Sequence, residues 1–406
     1  MATGRIDSLD LIRGVAVLGI LAINIAGFAQ PSTHVIAPAW PGPASHADAL
    51  SFAAKFVLFE GKMRALFSLL FGASLALFVR QRDDAGRFGD LLQARRLGWL
   101  AVIGLLHFYL LWWGDILFIY ACAGIIALFM REMETRPMLV TAGAIFAIWH
   151  IGGAVMDLPL VTMEEQVRLG TASASQAESY AAYERAVAQN IGSQTLLAEG
   201  GFWQMAAYRI GSETLRPLET AFTSMGETLP LMLLGMVLQR SGFFAGSWPR
   251  GRVIASGLGA LALGTTLTAL LLGWAWPRGF PIAAMQSILS DWTAPAHLLM
   301  AFGYAALLVL ATEAIARTLP GKALVAAGRT AFSNYIGTSL VMQAVFMAWG
   351  LGLFGRYGDA ALWPFVVAAW AAMLLWSPLW LKRYRRGPLE WAWRSLVEKQ
   401  ILPNRR

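Results

Sequence analysis

The chain has 406 residues, of which 57% are apolar and only 14% charged, and its mean hydropathy is +0.55. Soluble domains carry about 25% charged residues, so the composition is that of a membrane protein and excludes an ordinary soluble enzyme. The net charge of +8 invites a nucleic-acid reading, but that needs one continuous basic face, and loop topology accounts for the basic residues instead. A single cysteine, Cys122, removes disulfide frameworks and multi-cysteine metal sites, and no metal is expected.

A membrane-crossing helix needs about 20 mostly apolar residues. Ten stretches qualify, at roughly 11–29, 65–79, 97–114, 115–131, 137–157, 217–239, 253–275, 294–316, 324–349 and 360–381. Residues 49–61 form a possible re-entrant or surface helix. The first apolar run ends without a small-residue cleavage pattern, so a retained span is expected rather than a cleaved signal. Placing the N-terminus, with Arg5, in the cytoplasm puts most of the 32 Lys and Arg in inner segments, as the positive-inside rule requires. This predicts an all-α, polytopic helix bundle of about ten spans, with both termini cytoplasmic. Its parts are a membrane half at 1–157, an outer cap of short amphipathic helices at 158–216, and a second membrane half at 217–406 ending in an amphipathic tail. The basic, aromatic tail "KRYRRGPLEWAWRSLVEKQ" is expected along the inner leaflet.

Ionisable residues inside such stretches are costly and mark function or a structural pair. In "GLLHFYLLWWGDILFIY", Gly114 reads as a hairpin turn and Asp115 as the N-cap of the next helix. His107 lies seven residues before the turn, about 10 Å into the hydrocarbon. It is either a satisfied core histidine or a general base. His34 and His46 belong to an outer loop, as surface residues or as a base facing a cavity. His150 and His297 read as interfacial, near helix ends. Glu227 reads as a structural link to Arg329 or Asn334. Arg13 and Asn24 are expected, with Asp10, to line a cavity with the third and fourth spans. No GxSxG, HExxH or phosphate loop occurs in a usable context, and "GLGALALG" reads as helix-packing glycine.

The opening "RIDSLDLIRGVAVLGILAINIAGF", then "APAWPG", "FSLLFGASL", "RRLGWLAVIGLLHFYLLWWGDILFIYA", "GRTAFSNYIGTS" and "RYRRGPLEWAWRSL", resemble the YeiB-like family of bacterial inner-membrane proteins. The first span and hairpin resemble, more distantly, heparan-α-glucosaminide N-acetyltransferase and the acyltransferase-3 membrane enzymes, which move acyl groups from acyl-CoA to sugars. In the acyltransferase-3 pattern an arginine, matched by Arg13, precedes the working histidine by eleven positions, where this chain has Asn24. The heparan enzyme's pattern has asparagine there and a histidine in the outer loop, where His34 stands one place short of Val35. The resemblance therefore implies a transmembrane-acyltransferase-like fold, with acyl-CoA or acetyl-CoA as donor and a sugar or other small hydroxyl or amine acceptor. His107, Asp115 and His34 are the catalytic candidates. Arg13, Asn24, Arg80, Arg96, Arg329 and Asn334 are the donor-binding candidates, backed by the inner-loop Arg82, Arg95, Arg250, Arg252 and Lys322. The alternatives are a transporter without covalent chemistry, using Arg13, Glu227 and Arg329 for a polar ligand, and a scaffold that holds a partner on the outer cap. The expected partners are the bilayer, the small-molecule acceptor and a second copy in a homodimer.

Overall fold

A computed structural model describes residues 7–406; Arg5, used above to orient the N-terminus, lies outside them. Backbone polar groups in lipid must be paired within the chain, and the described residues meet this with helices. The first half comprises α1 (Asp7–Ala29), α2 (Thr33–Ile36), α3 (His46–Leu58), α4 (Lys62–Asp83), α5 (Gly89–Leu106), α6 (Leu117–Phe129) and α7 (Thr135–Leu169). The cap adds α8 (Ala174–Glu199) and α9 (Phe202–Ser212). The rest is α10 (Arg216–Thr223), α11 (Met225–Arg240), α12 (Arg250–Ala275), α13 (Ile282–Ser287), α14 (Ala294–Arg317), α15 (Leu319–Arg329), α16 (Ala331–Phe346), α17 (Trp363–Arg383) and α18 (Pro388–Glu398).

Seven helical stretches among the described residues are long and apolar enough to cross a membrane, one of them joining α3 to α4; an eighth follows if α10 and α11, bent by 57°, count as one. The two remaining expected spans correspond to α6, of 13 residues, and α16, of 16. The chain is thus an all-α polytopic bundle. Its most enclosed span is α1, which is surrounded by α4, α14, α15, α16 and α17. The halves interlock rather than sit side by side. Gly72 of α4 lies against the backbone of Met232, and Gly235 of α11 lies against that of Leu69. No side chain fits at either point, so the two helices touch backbone to backbone.

The cap differs from expectation. "MEEQVRLG" is the end of α7, which runs unbroken for 35 residues across position 157 and through Pro159. The expected pieces "AESYAAYERAVAQN" and "QTLLAEGGFWQMAAYRIG" are divided differently: the first joins the start of the second in the 26-residue α8, opened by a Ser173–Gln176 capping box, and the rest of the second forms α9. Gly170, at φ +70, is the break the chain actually uses. At the opposite end of the bundle α18 docks on α5, where Glu398 bridges Arg82 and Arg87 at 3.1 and 2.6 Å and Trp393 Nε1 donates to the Arg96 carbonyl at 3.0 Å.

Candidate functional site

The hairpin after α5 is not a plain turn. The helix widens into one π turn, His107–Leu111, before the loop that leads to α6. Such turns insert a residue and re-aim side chains, and they recur at functional sites. Asp115 divides its two oxygens. Oδ2 accepts the Phe118 N–H at 2.7 Å, the expected cap, and Oδ1 accepts from His107 Nδ1 at 2.9 Å. The carboxylate as acceptor places the proton of a neutral ring on Nδ1, so Nε2 presents its lone pair. That atom is buried and has no hydrogen-bond partner among the described residues. Both side chains are almost fully enclosed.

The pair is held from two sides. Tyr335 Oη accepts the Ile116 N–H at 3.3 Å and donates to the Gly114 carbonyl at 3.2 Å, with its ring 5.1 Å from that of His107. Trp112 donates to the Gly27 carbonyl at 3.2 Å and packs on Phe28. Tyr335 also lines a narrow recess with Asn24, Thr338, Ser339 and Met373, which has room for about one water. The recess lies among α1, α16 and α17, so the expectation of a cavity shared by Arg13, Asn24, Asp10 and the third and fourth spans is corrected. Arg13 turns instead to Asp10 at 3.2 Å and to Ser74 of α4.

Two further pairs repeat the pattern. His297 Nδ1 donates to Glu227 Oε1 at 3.0 Å, while Arg64 Nε and Nη2 donate to Glu227 Oε2 at 3.1 and 2.7 Å. Gly61, at φ +69, lies flush against the His297 ring, where a side chain has no space. His150 Nδ1 donates to Asp291 Oδ1 at 2.9 Å, and Asp291 sits on a second π turn, Ile288–Trp292. In all three histidines Nε2 is buried and unpartnered among the described residues. Two expectations change here. Glu227 pairs with Arg64 and His297 rather than Arg329 or Asn334, and His150 and His297 are buried rather than interfacial.

The other candidates scatter. His34 Nε2 bonds the Trp40 carbonyl at 3.0 Å and faces a second small recess with Lys55, Phe56 and Glu60. Burial lowers its pKa below the usual imidazole range, against the opposing pull of the Trp40 carbonyl and Asp359. Arg96 is clasped between the rings of Phe78 and Trp393, at 4.1 and 4.7 Å, near enough to Arg394, Arg13 and Arg82 for their charges to repel. Arg80 is exposed beside Asp84, and Arg329 reaches the Arg385 carbonyl. Asn334 is engaged by Ala327, Thr330, Ser377 and Trp376 in a closed polar knot. Among the named candidates, then, His107 joins Asp115, Asn24 lies nearby beyond Tyr335, and Arg13 neighbours Arg96 at the other end of the bundle.

Comparison with known proteins bears on the whole chain. A family model described as "Protein of unknown function (DUF418)" matches residues 238–400. The uncharacterized protein YeiB of Escherichia coli (strain K12) is 30% identical, over 98% of this chain and 97% of its own length. The chain belongs to the YeiB-like DUF418 family. Other members reach into the bacilli. The uncharacterized protein YxaH of Bacillus subtilis (strain 168) is 29% identical, covering 96% and 94% of the two chains. An uncharacterized 39.9 kDa protein from the amylase 3' region of Bacillus acidopullulyticus is 26% identical, covering 98% and 95%. No solved structure matches the chain. The DUF418 model region includes Tyr335 and α18 but begins after the hairpin and Glu227, whereas the full-length relatives span both.

Proposed function

We propose that the protein is an inner-membrane acyltransferase that moves an acyl group from cytoplasmic acyl-CoA to a hydroxyl or amine on the far side, for example on a sugar. The observation that carries this reading is the buried His107–Asp115 pair, with its basic nitrogen free of hydrogen-bond partners among the described residues. His107 Nε2 takes the proton of the acceptor hydroxyl as its oxygen attacks the thioester carbonyl. The C–S bond breaks, and the departing thiolate recovers that proton, giving the ester and free CoA. Asp115 holds the ring and stabilises its charged form. The guanidinium groups of Arg13, Arg82, Arg96 and Arg394 gather at the opposite end, which this reading places in the cytoplasm facing the CoA phosphates. Arg80, Arg329 and Asn334 support no part of the reading in their observed positions.

The test is transfer of labelled acetyl from acetyl-CoA to a sugar or lipid extract by purified protein in vesicles. His107→Gln should lower the rate by about 10²-fold or more while the protein stays folded. Full activity in that variant sinks the assignment.

A second reading is transport of a polar ligand without covalent chemistry. It draws support from the Arg64–Glu227–His297 cluster, whose ionisable groups lie at the start of the apolar helices α4, α11 and α14. Uptake into vesicles that is lost in Glu227→Gln but kept in His107→Gln would favour it.

A further inference from the structure

α9 and α10 lie directly over the π turn that carries His107. Arg209 of α9 donates to the Phe108 carbonyl at 3.4 Å, and Tyr109 Oη donates to the Thr214 carbonyl between the two helices at 2.6 Å. Their inward faces are buried through Met205, Ala206 and Arg209 on α9 and Pro217 and Ala221 on α10. Their outward faces have the wrong chemistry for water. Trp203 is 76% exposed, Leu215 63%, Leu218 55% and Phe222 68%, and 215, 218 and 222 share one side of a helix by their spacing. A soluble cap does not display such a row, and α8 beside it does not.

The neighbours identify what covers it. Phe222 packs edge-on against Trp149 of α7, with centroids 5.1 Å apart. α7 continues the same surface with exposed Ile148, Ile151 and Val155, a side of a membrane-crossing helix that faces lipid. The apolar row is therefore continuous with the lipid-facing belt. The bend of 57° between α10 and α11 lays α10 across the direction of the span rather than along it. An amphipathic helix with its apolar face at the headgroup boundary, anchored by tryptophan, lies in the plane of the interface.

We infer that α9 and α10 form a hood embedded in the leaflet at the hairpin end, and that the ligand of the His107 site enters beneath it from the bilayer as a lipid-borne molecule. Calling that ligand the acyl acceptor rests on the acyltransferase reading; the hood and the lateral route do not.

The test uses the full chain with Cys122→Ala and one spin label at a time, introduced by Trp203→Cys, Leu218→Cys or, on the exposed side of α8, Ala182→Cys, in vesicles of phosphatidylethanolamine and phosphatidylglycerol. Labels at 203 and 218 should collide more with oxygen than with a water-soluble nickel chelate, and the label at 182 should show the reverse. Water-like behaviour at 203 and 218 overturns the hood, and spin–spin broadening between copies makes the face a dimer contact and overturns it equally. For the route, a dodecyl glucoside carrying a diazirine on its headgroup should crosslink within residues 106–111 or 205–217, several-fold above the methyl glucoside analogue at equal concentration. Equal labelling by the two, or labelling elsewhere only, overturns lateral entry. Crosslinking without any acetyl transfer removes the enzyme reading and leaves the lipid-borne ligand in place.

Discussion

Glu227 receives hydrogen bonds from Arg64 on one oxygen and from His297 on the other. Removing the carboxylate leaves the buried His297 ring and the Arg64 guanidinium without their acceptor, a loss that solvent reaching the half-buried Arg64 side chain reduces below that of a fully buried pair. Glu227→Ala should therefore lower the unfolding midpoint in detergent clearly more than His297→Asn, which leaves the Arg64–Glu227 pair intact; equal effects would show that the pair contributes little. Sequence alone singled out Glu227, His107 and Asp115, because a charge in apolar surroundings is conspicuous whatever its partner. It did not find Arg64, which stands just ahead of the expected span and 163 residues from Glu227. Nor did it pair His107 with Asp115, since a regular helix and turn do not bring those positions together. The distinction remains measurable. Asp115→Asn keeps an acceptor for Phe118 N–H but loses the charge that steadies a protonated His107, so its acyl-transfer rate should fall while its thermal stability stays close to that of the parent.

The π turn explains part of that miss. No residue spacing announces an extra residue in a helix, so "GLLHFYLLWWGD" reads as regular helix up to Gly114. The cap failed for the opposite reason. Gly192 and Pro159 look like breaks, yet both lie inside helices, because a glycine weakens a helix without ending it; within the cap the left-handed turn falls at Gly170, and Gly200 and Gly201 separate α8 from α9. The close approach of α4 to α11 was also hidden, since Gly72 and Gly235 become meaningful only when the helices are side by side. Gly235→Val should force its side chain into the Leu69 carbonyl, which packed backbone cannot relieve, and cost about 1–3 kcal/mol. Gly98→Ala, facing open space on α5, should not lower the unfolding midpoint and should raise it slightly, since alanine favours a helix over glycine. A Gly235→Val protein as stable as the parent would show that α4 and α11 stand further apart than described.

Most of the helical architecture was legible, because hydrocarbon leaves a chain few options: long apolar runs must become helices. Each expected span falls on one or more helices, although α6 and α16 are shorter than a full crossing. The packing of α18 against α5 adds what sorting could not, since Glu398 joins the tail to Arg82 and Arg87. Reporters placed after Arg406 and near Gly89 should consequently give the same reading, cytoplasmic, and one near Ser175 the opposite. A split between the first two would break both the tail docking and the orientation.

The length of α7 sets one more property. Thirty-five residues at about 1.5 Å each make a rod of roughly 52 Å, against a hydrocarbon core of about 30 Å. Its upper end is braced where Glu164 accepts the first N–H groups of α13 at 3.1 and 2.8 Å and the Tyr180 hydroxyl of α8 at 2.6 Å. The rod therefore fixes the spacing between its start at Thr135 and the docked α8 and α13: each residue added or removed would change that spacing by about 1.5 Å and turn the contact face by about 100°.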